Sequence, residues 1–171
     1  MLVELARSMT VEEWEDLAQK LNEAGTKLRS AGIRVGYHNH NVEFKKLPNG
    51  RLALELMLEK TDPKLVDLEV DLGWLTSTGL DPADFLKKHG ARVGQVHLKD
   101  LKETEPNTEL KFHTATLGQG MQNWDAILDV LPSTAVRNAY VETSPPHETS
   151  GLQSAAEAYA FLQPLMAGKR L

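Results

Sequence analysis

The sequence contains no cysteine. That excludes a disulfide framework, a thiolate metal site and a cysteine nucleophile, and it fits a reducing compartment. Long apolar runs are missing as well, since nothing approaches the roughly 18 to 20 residues that a membrane span needs. The first eight residues include Glu4 and lack an extended apolar core, which argues against a secretory leader. The expectation is therefore a cytoplasmic protein with no membrane partner. Excess positive charge is absent too: 19 Lys and Arg against 24 Asp and Glu give a formal net charge of -5. That balance disfavours a nucleic-acid surface spread over the whole chain. There is no repeat of fixed period, no low-complexity segment and no obvious interdomain linker. What is present is an ordinary globular composition, 41% hydrophobic and 25% charged in 171 residues, enough chain for one domain with a real core.

Thr10 and Glu13 have the spacing of a capping box. Trp14, Leu17, Ala18, Leu21 and Leu28 then follow at helical intervals up to Gly32, a residue suited to a helix C-terminus. Residues 33–38 read as a short strand and 52–60 as a second helix. The pattern recurs over 65–71, where Val66, Leu68 and Val70 alternate with Asp67, Glu69 and Asp71. Asp81-Pro82 opens a helix that runs through His89 to Gly90. Residues 93–98 read as a strand, 99–122 as an irregular stretch, and Asn123 as the cap of a helix carrying Trp124, Ile127, Leu128 and Leu131. A last short strand over 139–142 and a helix over 152–166 complete the chain. One helix followed by four strand–helix units predicts parallel α/β architecture in place of a hairpin-built sheet.

In such proteins the chemistry sits at the C-terminal ends of the strands. Each of the four expected strands ends in a group able to bind metal or transfer protons. The first ends in His38-Asn39-His40 with Glu43 close behind, the second in Asp71, the third in His97 followed by Lys99 and Asp100, and the fourth in Glu142. Strand alternation places both imidazoles of the first group on one face. Taken singly, His97 could be a hydrogen-bonded structural residue, Asp71 a turn cap and Glu142 a solvated loop residue. Together they form a mixed nitrogen and oxygen donor set suited to divalent manganese, zinc, cobalt or magnesium. A metal with open positions can polarise a carbonyl, stabilise an enediolate or activate water, and a neighbouring Glu or His can move protons.

Other features allow two readings. The amides of Gly118-Gln119-Gly120 could face an anion or a sugar hydroxyl, or simply make a tight turn. Trp74 could stack on a sugar ring or pack the rim of a barrel. His113 falls in the expected long loop before Gly118 and is a candidate substrate contact. His89, His147 and the pair Lys45-Lys46 read as solvated.

The stretches Gly36-Tyr37-His38-Asn39-His40-Asn41-Val42-Glu43-Phe44, Glu69-Val70-Asp71-Leu72-Gly73-Trp74, Val96-His97-Leu98-Lys99-Asp100, Leu117-Gly118-Gln119-Gly120 with Trp124, and Val141-Glu142 occur in that order. This series resembles the sugar phosphate isomerase/epimerase family, with its xylose isomerase-like TIM-barrel fold, from about Thr10 to the C-terminus. The resemblance implies a divalent metal held at the ends of the last four strands by Glu, Asp, His and Glu. Carried over, the ligands are His38, Asp71, His97 and Glu142, with His38 standing where the family usually has Glu. Glu43 or His40 are alternatives for that first position. The replacement disfavours a symmetrical two-glutamate epimerisation. Glu142 remains as a base, with His38 or His40 as its counterpart and Lys99 as a further catalytic candidate; Trp74, Glu43 and His113 are the candidates for substrate contact. Gln119 is a second departure, from a Gly-Glu-Gly turn.

The resemblance thus implies a metal-dependent isomerase or epimerase acting by α-proton abstraction on a sugar, sugar phosphate or keto-sugar. Elimination or hydrolysis of a keto-sugar glycoside would suit the same site. An abasic-site endonuclease of the same superfamily is disfavoured, because Trp74 stands where such an enzyme offers a His. A complete (β/α)8 barrel usually needs about 250 residues. The expected fold is therefore a partial (β/α)8 TIM barrel, a single N-terminally incomplete domain over 1–171 made of the last four β/α units with a preceding helix. Such a domain would leave sheet edges for a second copy or a missing N-terminal half, and could be a non-catalytic fragment that needs that partner.

Overall fold

The computed structural model describes residues 6, 8–104, 111–144 and 149–167. His147 lies outside the described residues. The chain forms two compact units, residues 1–69 and 70–171.

The first unit begins with helix α1, Val11–Arg29, and its start is the expected capping box. The Thr10 hydroxyl accepts from the Glu13 N–H at 3.2 Å, and the Glu13 carboxylate accepts from the Thr10 N–H at 2.7 Å. Its apolar stripe buries Trp14 and Ala18 against Ala53, Leu56 and Met57 of helix α2, Ala53–Lys60. The Asn22 side chain ties the two helices, donating to Lys60 O at 2.9 Å and accepting from Asp62 N–H at 2.8 Å. Strand β1, Val35–His38, pairs in parallel with strand β2, Val66–Asp71, setting Val35 opposite Val66 and His38 opposite Glu69. Arg34 makes a two-pronged ion pair with Asp67, so the charge facing that strand is matched.

Strand β2 continues through Val70 and Asp71 into the second unit. There follow helix α3, Leu72–Thr76, helix α4, Pro82–His89, strand β3, Val93–Leu98, strand β4, Asp100–Glu103, strand β5, Phe112–Ala115, helix α5, Trp124–Val130, strand β6, Asn138–Val141, and helix α6, Gly151–Met166. Asp81 caps α4 by accepting from Asp84 N–H at 2.9 Å, and Asn123 caps α5 by accepting from Ala126 N–H at 3.2 Å. Strand β3 pairs in parallel with β6, with His97 opposite Tyr140 and Leu98 opposite Val141. The core of this unit is aliphatic: Leu72, Leu75, Leu86, Val93, Val96, Ile127, Leu128 and Leu131 are almost wholly inaccessible. Each unit thus holds a parallel strand pair, β1 with β2 and β3 with β6, in keeping with the parallel α/β pattern of the sequence.

Three local expectations are corrected. The stretch 99–122 is not irregular throughout, because β4 and β5 form a separate antiparallel pair. His113 accordingly sits on β5 opposite Lys102 and not in a loop. The segments DLKE and FHTA are too short and too polar to show an apolar alternation, which is why neither announces itself as a strand. Helix α3 was not expected, being a single capped turn after Asp71. Finally, β6 ends at Val141, leaving Glu142 just beyond the strand.

Candidate metal and proton-transfer site

The second unit gathers four of the strand-end residues. Asp71 closes β2 and is fully buried. Its Oδ1 accepts from Trp74 N–H at 2.9 Å and so starts α3, while Oδ2 forms an ion pair with the Lys99 ammonium at 2.7 Å. The turn-capping and charged-site readings of Asp71 are thus both satisfied, one by each oxygen. His97 and Lys99 lie two residues apart at the end of β3, and the β3–β6 register delivers Glu142 beside them: its N–H donates to Leu98 O at 3.1 Å. Glu142 Oε1 then accepts from Lys99 Nζ at 2.8 Å, and Oε2 meets His97 Nδ1. Burial pulls Glu142 toward the neutral acid, but hydrogen bonds from Lys99 and His97, with their charges, hold it below the ordinary carboxylate value.

One donor atom from each of Asp71, His97 and Glu142 lies within 4.8 Å of the others. Two carboxylates and an imidazole at this spacing suit a divalent cation of the manganese, magnesium, cobalt or zinc type. The structure itself shows that the site attracts positive charge, because the almost wholly buried Lys99 ammonium contacts both carboxylates. Trp74 stands beside it, with Nζ 5.2 Å from the ring centroid, a cation–π distance.

In the first unit, His38 ends β1 with its ring edge-on to that of His40, centroids 5.0 Å apart. Glu43 lies in the short 3-10 turn Val42–Phe44 and is buried. Its oxygens accept from Tyr37 OH at 2.7 Å and from His40 N–H at 2.9 Å, so its carboxylate braces the loop after β1. Burial, reinforced by the charge and hydrogen bond of Glu43, pushes the Tyr37 phenol far above its usual value and keeps it a donor.

Asp100 plays a part that residue-by-residue reading missed. It is fully buried and anchors the loop after β5. Oδ1 accepts from Leu101 N–H at 3.0 Å and Gln122 N–H at 3.1 Å. Oδ2 accepts from Gly118 N–H at 3.0 Å, Gly120 N–H at 3.1 Å and the Trp124 indole at 2.9 Å. The amides of Gly118 and Gly120 therefore do face an anion, and that anion is the chain's own carboxylate. Both glycines are required: Gly118 has φ +83°, and a Cβ on Gly120 would lie 2.1 Å from Asp100 Oδ1. Gln122 extends the anchor by donating to Leu72 O at 3.0 Å and Lys99 O at 3.2 Å. The signal in the sequence was a lone Asp followed at a distance by Gly-x-Gly and Trp, a pairing visible only once the chain folds back.

Parallel strands with acidic and imidazole donors at their C-terminal ends define an α/β barrel-type protein with a candidate metal site. The chain belongs to the xylose isomerase-like TIM barrel family, whose model matches residues 4–165. It is 28% identical over 167 residues to an inosose dehydratase of Bacillus cereus, covering 90% of this chain and 55% of that protein. A sugar phosphate isomerase/epimerase from Parabacteroides distasonis superposes with a TM-score of 0.75 at 26% identity, covering 90% of this chain and 53% of that one. The fold also matches the IOLI protein, solved with a bound zinc atom, with a TM-score of 0.68 at 16% identity over 94% of this chain and 59% of that one. The chain thus spans about half the length of these relatives. Among the described residues no helix is long and apolar enough to cross a membrane.

Proposed function

We propose that this chain carries the metal site and proton-transfer groups of an enzyme that removes a proton next to the carbonyl of a sugar, sugar phosphate or keto-sugar. The observation that carries the reading is the convergence of Asp71, His97 and Glu142 donor atoms within 4.8 Å. His38, the corresponding strand-end residue of β1, is proposed as the fourth ligand. A bound divalent ion would polarise the substrate carbonyl and stabilise the negative charge that develops as the α-proton leaves. Glu142 is the base: its lowered proton affinity keeps it ionised at neutral pH, and it is half-exposed where Asp71 is sealed. His97 fixes the Glu142 carboxylate through Nδ1 and is itself proposed as an imidazole ligand to the ion. His38 or His40 returns the proton, and Trp74, with its apolar face, offers a platform for a sugar ring.

Two outcomes follow from the same first step. Return of the proton to the neighbouring carbon gives isomerisation, and return to the same carbon from the opposite face gives epimerisation. Loss of a hydroxyl β to the carbonyl gives dehydration, and the inosose dehydratase relative favours this second branch. The small-molecule substrate and any second copy or N-terminal half that completes the cradle belong to the same proposal. The test is solvent exchange: full-length protein, manganese(II) and a panel of ketoses and keto-cyclitols in deuterated water, followed by proton NMR. Loss of an α-proton signal that disappears in Glu142→Gln supports the reading. No exchange with any panel member, in protein shown to hold metal, overturns it.

A further inference from the structure

The atoms that a divalent ion would need are already engaged. Asp71 Oδ1 accepts from the Trp74 N–H at 2.9 Å. Asp71 Oδ2 is 2.7 Å from Lys99 Nζ, and Nζ is also 2.8 Å from Glu142 Oε1. Resting on the metal site proposed above, we infer that Lys99 is a built-in competitor for the metal: its ammonium clamps Asp71 and Glu142 together in the metal-free protein, and binding of the ion expels it.

Two further observations support the inference. The Lys99 stem crosses Gly73 so closely that a Cβ there would lie 2.7 Å from Lys99 Cγ and 2.8 Å from Cδ. These are inner atoms of the side chain, which cannot step aside without moving the head group, so the missing Cβ is what leaves room for the ammonium to reach the carboxylates. In the same position Nζ lies 5.2 Å from the Trp74 ring centroid, so the aromatic face helps to hold the ammonium where the ion would have to displace it. Without a cation of either kind, a buried Asp71 beside Glu142 is left uncompensated, which explains why a lysine is held there at all.

The experiment uses chelator-treated full-length protein titrated with manganese(II) in a calorimeter, for wild type, Lys99→Met and Gly73→Ala. Each set is melted with and without the metal. Lys99→Met is expected to bind manganese about tenfold more tightly, equivalent to about 1.4 kcal/mol, and to melt lower than wild type only in the metal-free state. Gly73→Ala, which pushes the lysine stem aside while leaving its charge in place, is expected to shift affinity in the same direction. Equal or weaker manganese binding by Lys99→Met overturns the competitor role while leaving the metal site standing. If Lys99→Met does not fold, unchanged or weaker affinity in Gly73→Ala does the same. Absence of binding in wild type and variants alike overturns the metal site, and the competitor role with it.

Discussion

Replacing Asp100 by Asn tests whether the fully buried carboxylate holds the loop after β5 in place. The substitution conserves volume, so no cavity contributes to its effect. Five donors converge on the two oxygens: Leu101 and Gln122 on Oδ1, and Gly118, Gly120 and Trp124 on Oδ2. An amide offers one acceptor and one donor in their place. With its NH2 at the Oδ1 position two amides lose their acceptor and face another donor; with the opposite flip three groups do. The milder arrangement still removes two hydrogen bonds to a charged group, each worth about 1.5 to 3 kcal/mol, for a loss of about 3 to 6 kcal/mol. Against a typical domain stability of about 5 to 15 kcal/mol, that is a large fraction. Urea unfolding followed by circular dichroism should show a much lower midpoint, and the Trp124 indole N–H resonance should shift in the folded variant. A loss under about 1 kcal/mol, well below a single charged hydrogen bond, would refute the anchoring argument.

Two further outcomes follow from the structure. Trp14 is 1% exposed and packs between α1 and α2, so Trp14→Ala should cost about 3 to 5 kcal/mol in thermal or urea unfolding. For Glu142, whose native pKa lies below its free value of 4.5, the stabilisation is present above that free value and is lost as pH falls through the lowered native one. Metal-free wild type should therefore exceed Glu142→Gln in melting temperature at neutral pH, and the gap should close in acid. A gap that stays constant across that range would contradict the ion-pair assignment.

Much of the fold was legible because each signal was local. Thr10 with Glu13, Asp81 with Pro82, and Asn123 before Trp124 all satisfy amides within one turn, so the sequence alone announces those helix starts. The Val66, Leu68 and Val70 alternation marks β2 for the same reason. The β4–β5 pair was not legible, because each strand is only four residues long and their side chains do not alternate. At the site, the residue types at the strand ends were visible. The double use of Asp71, the bridging position of Lys99 and the brace made by Glu43 were not, since each depends on which oxygen faces which partner.

The sequence by itself determined where helices and strands begin, the parallel α/β class, and the placing of His, Asp, Lys and Glu at strand ends, since all of these rest on periodicity and spacing along the chain. Only the tertiary structure decided that Gly118 and Gly120 serve Asp100 and not a ligand, and that one ammonium spans Asp71 and Glu142. The physical reason is range. Caps and alternation act over a few residues, whereas a buried charge is balanced by whatever the register of distant strands brings within about 3 Å.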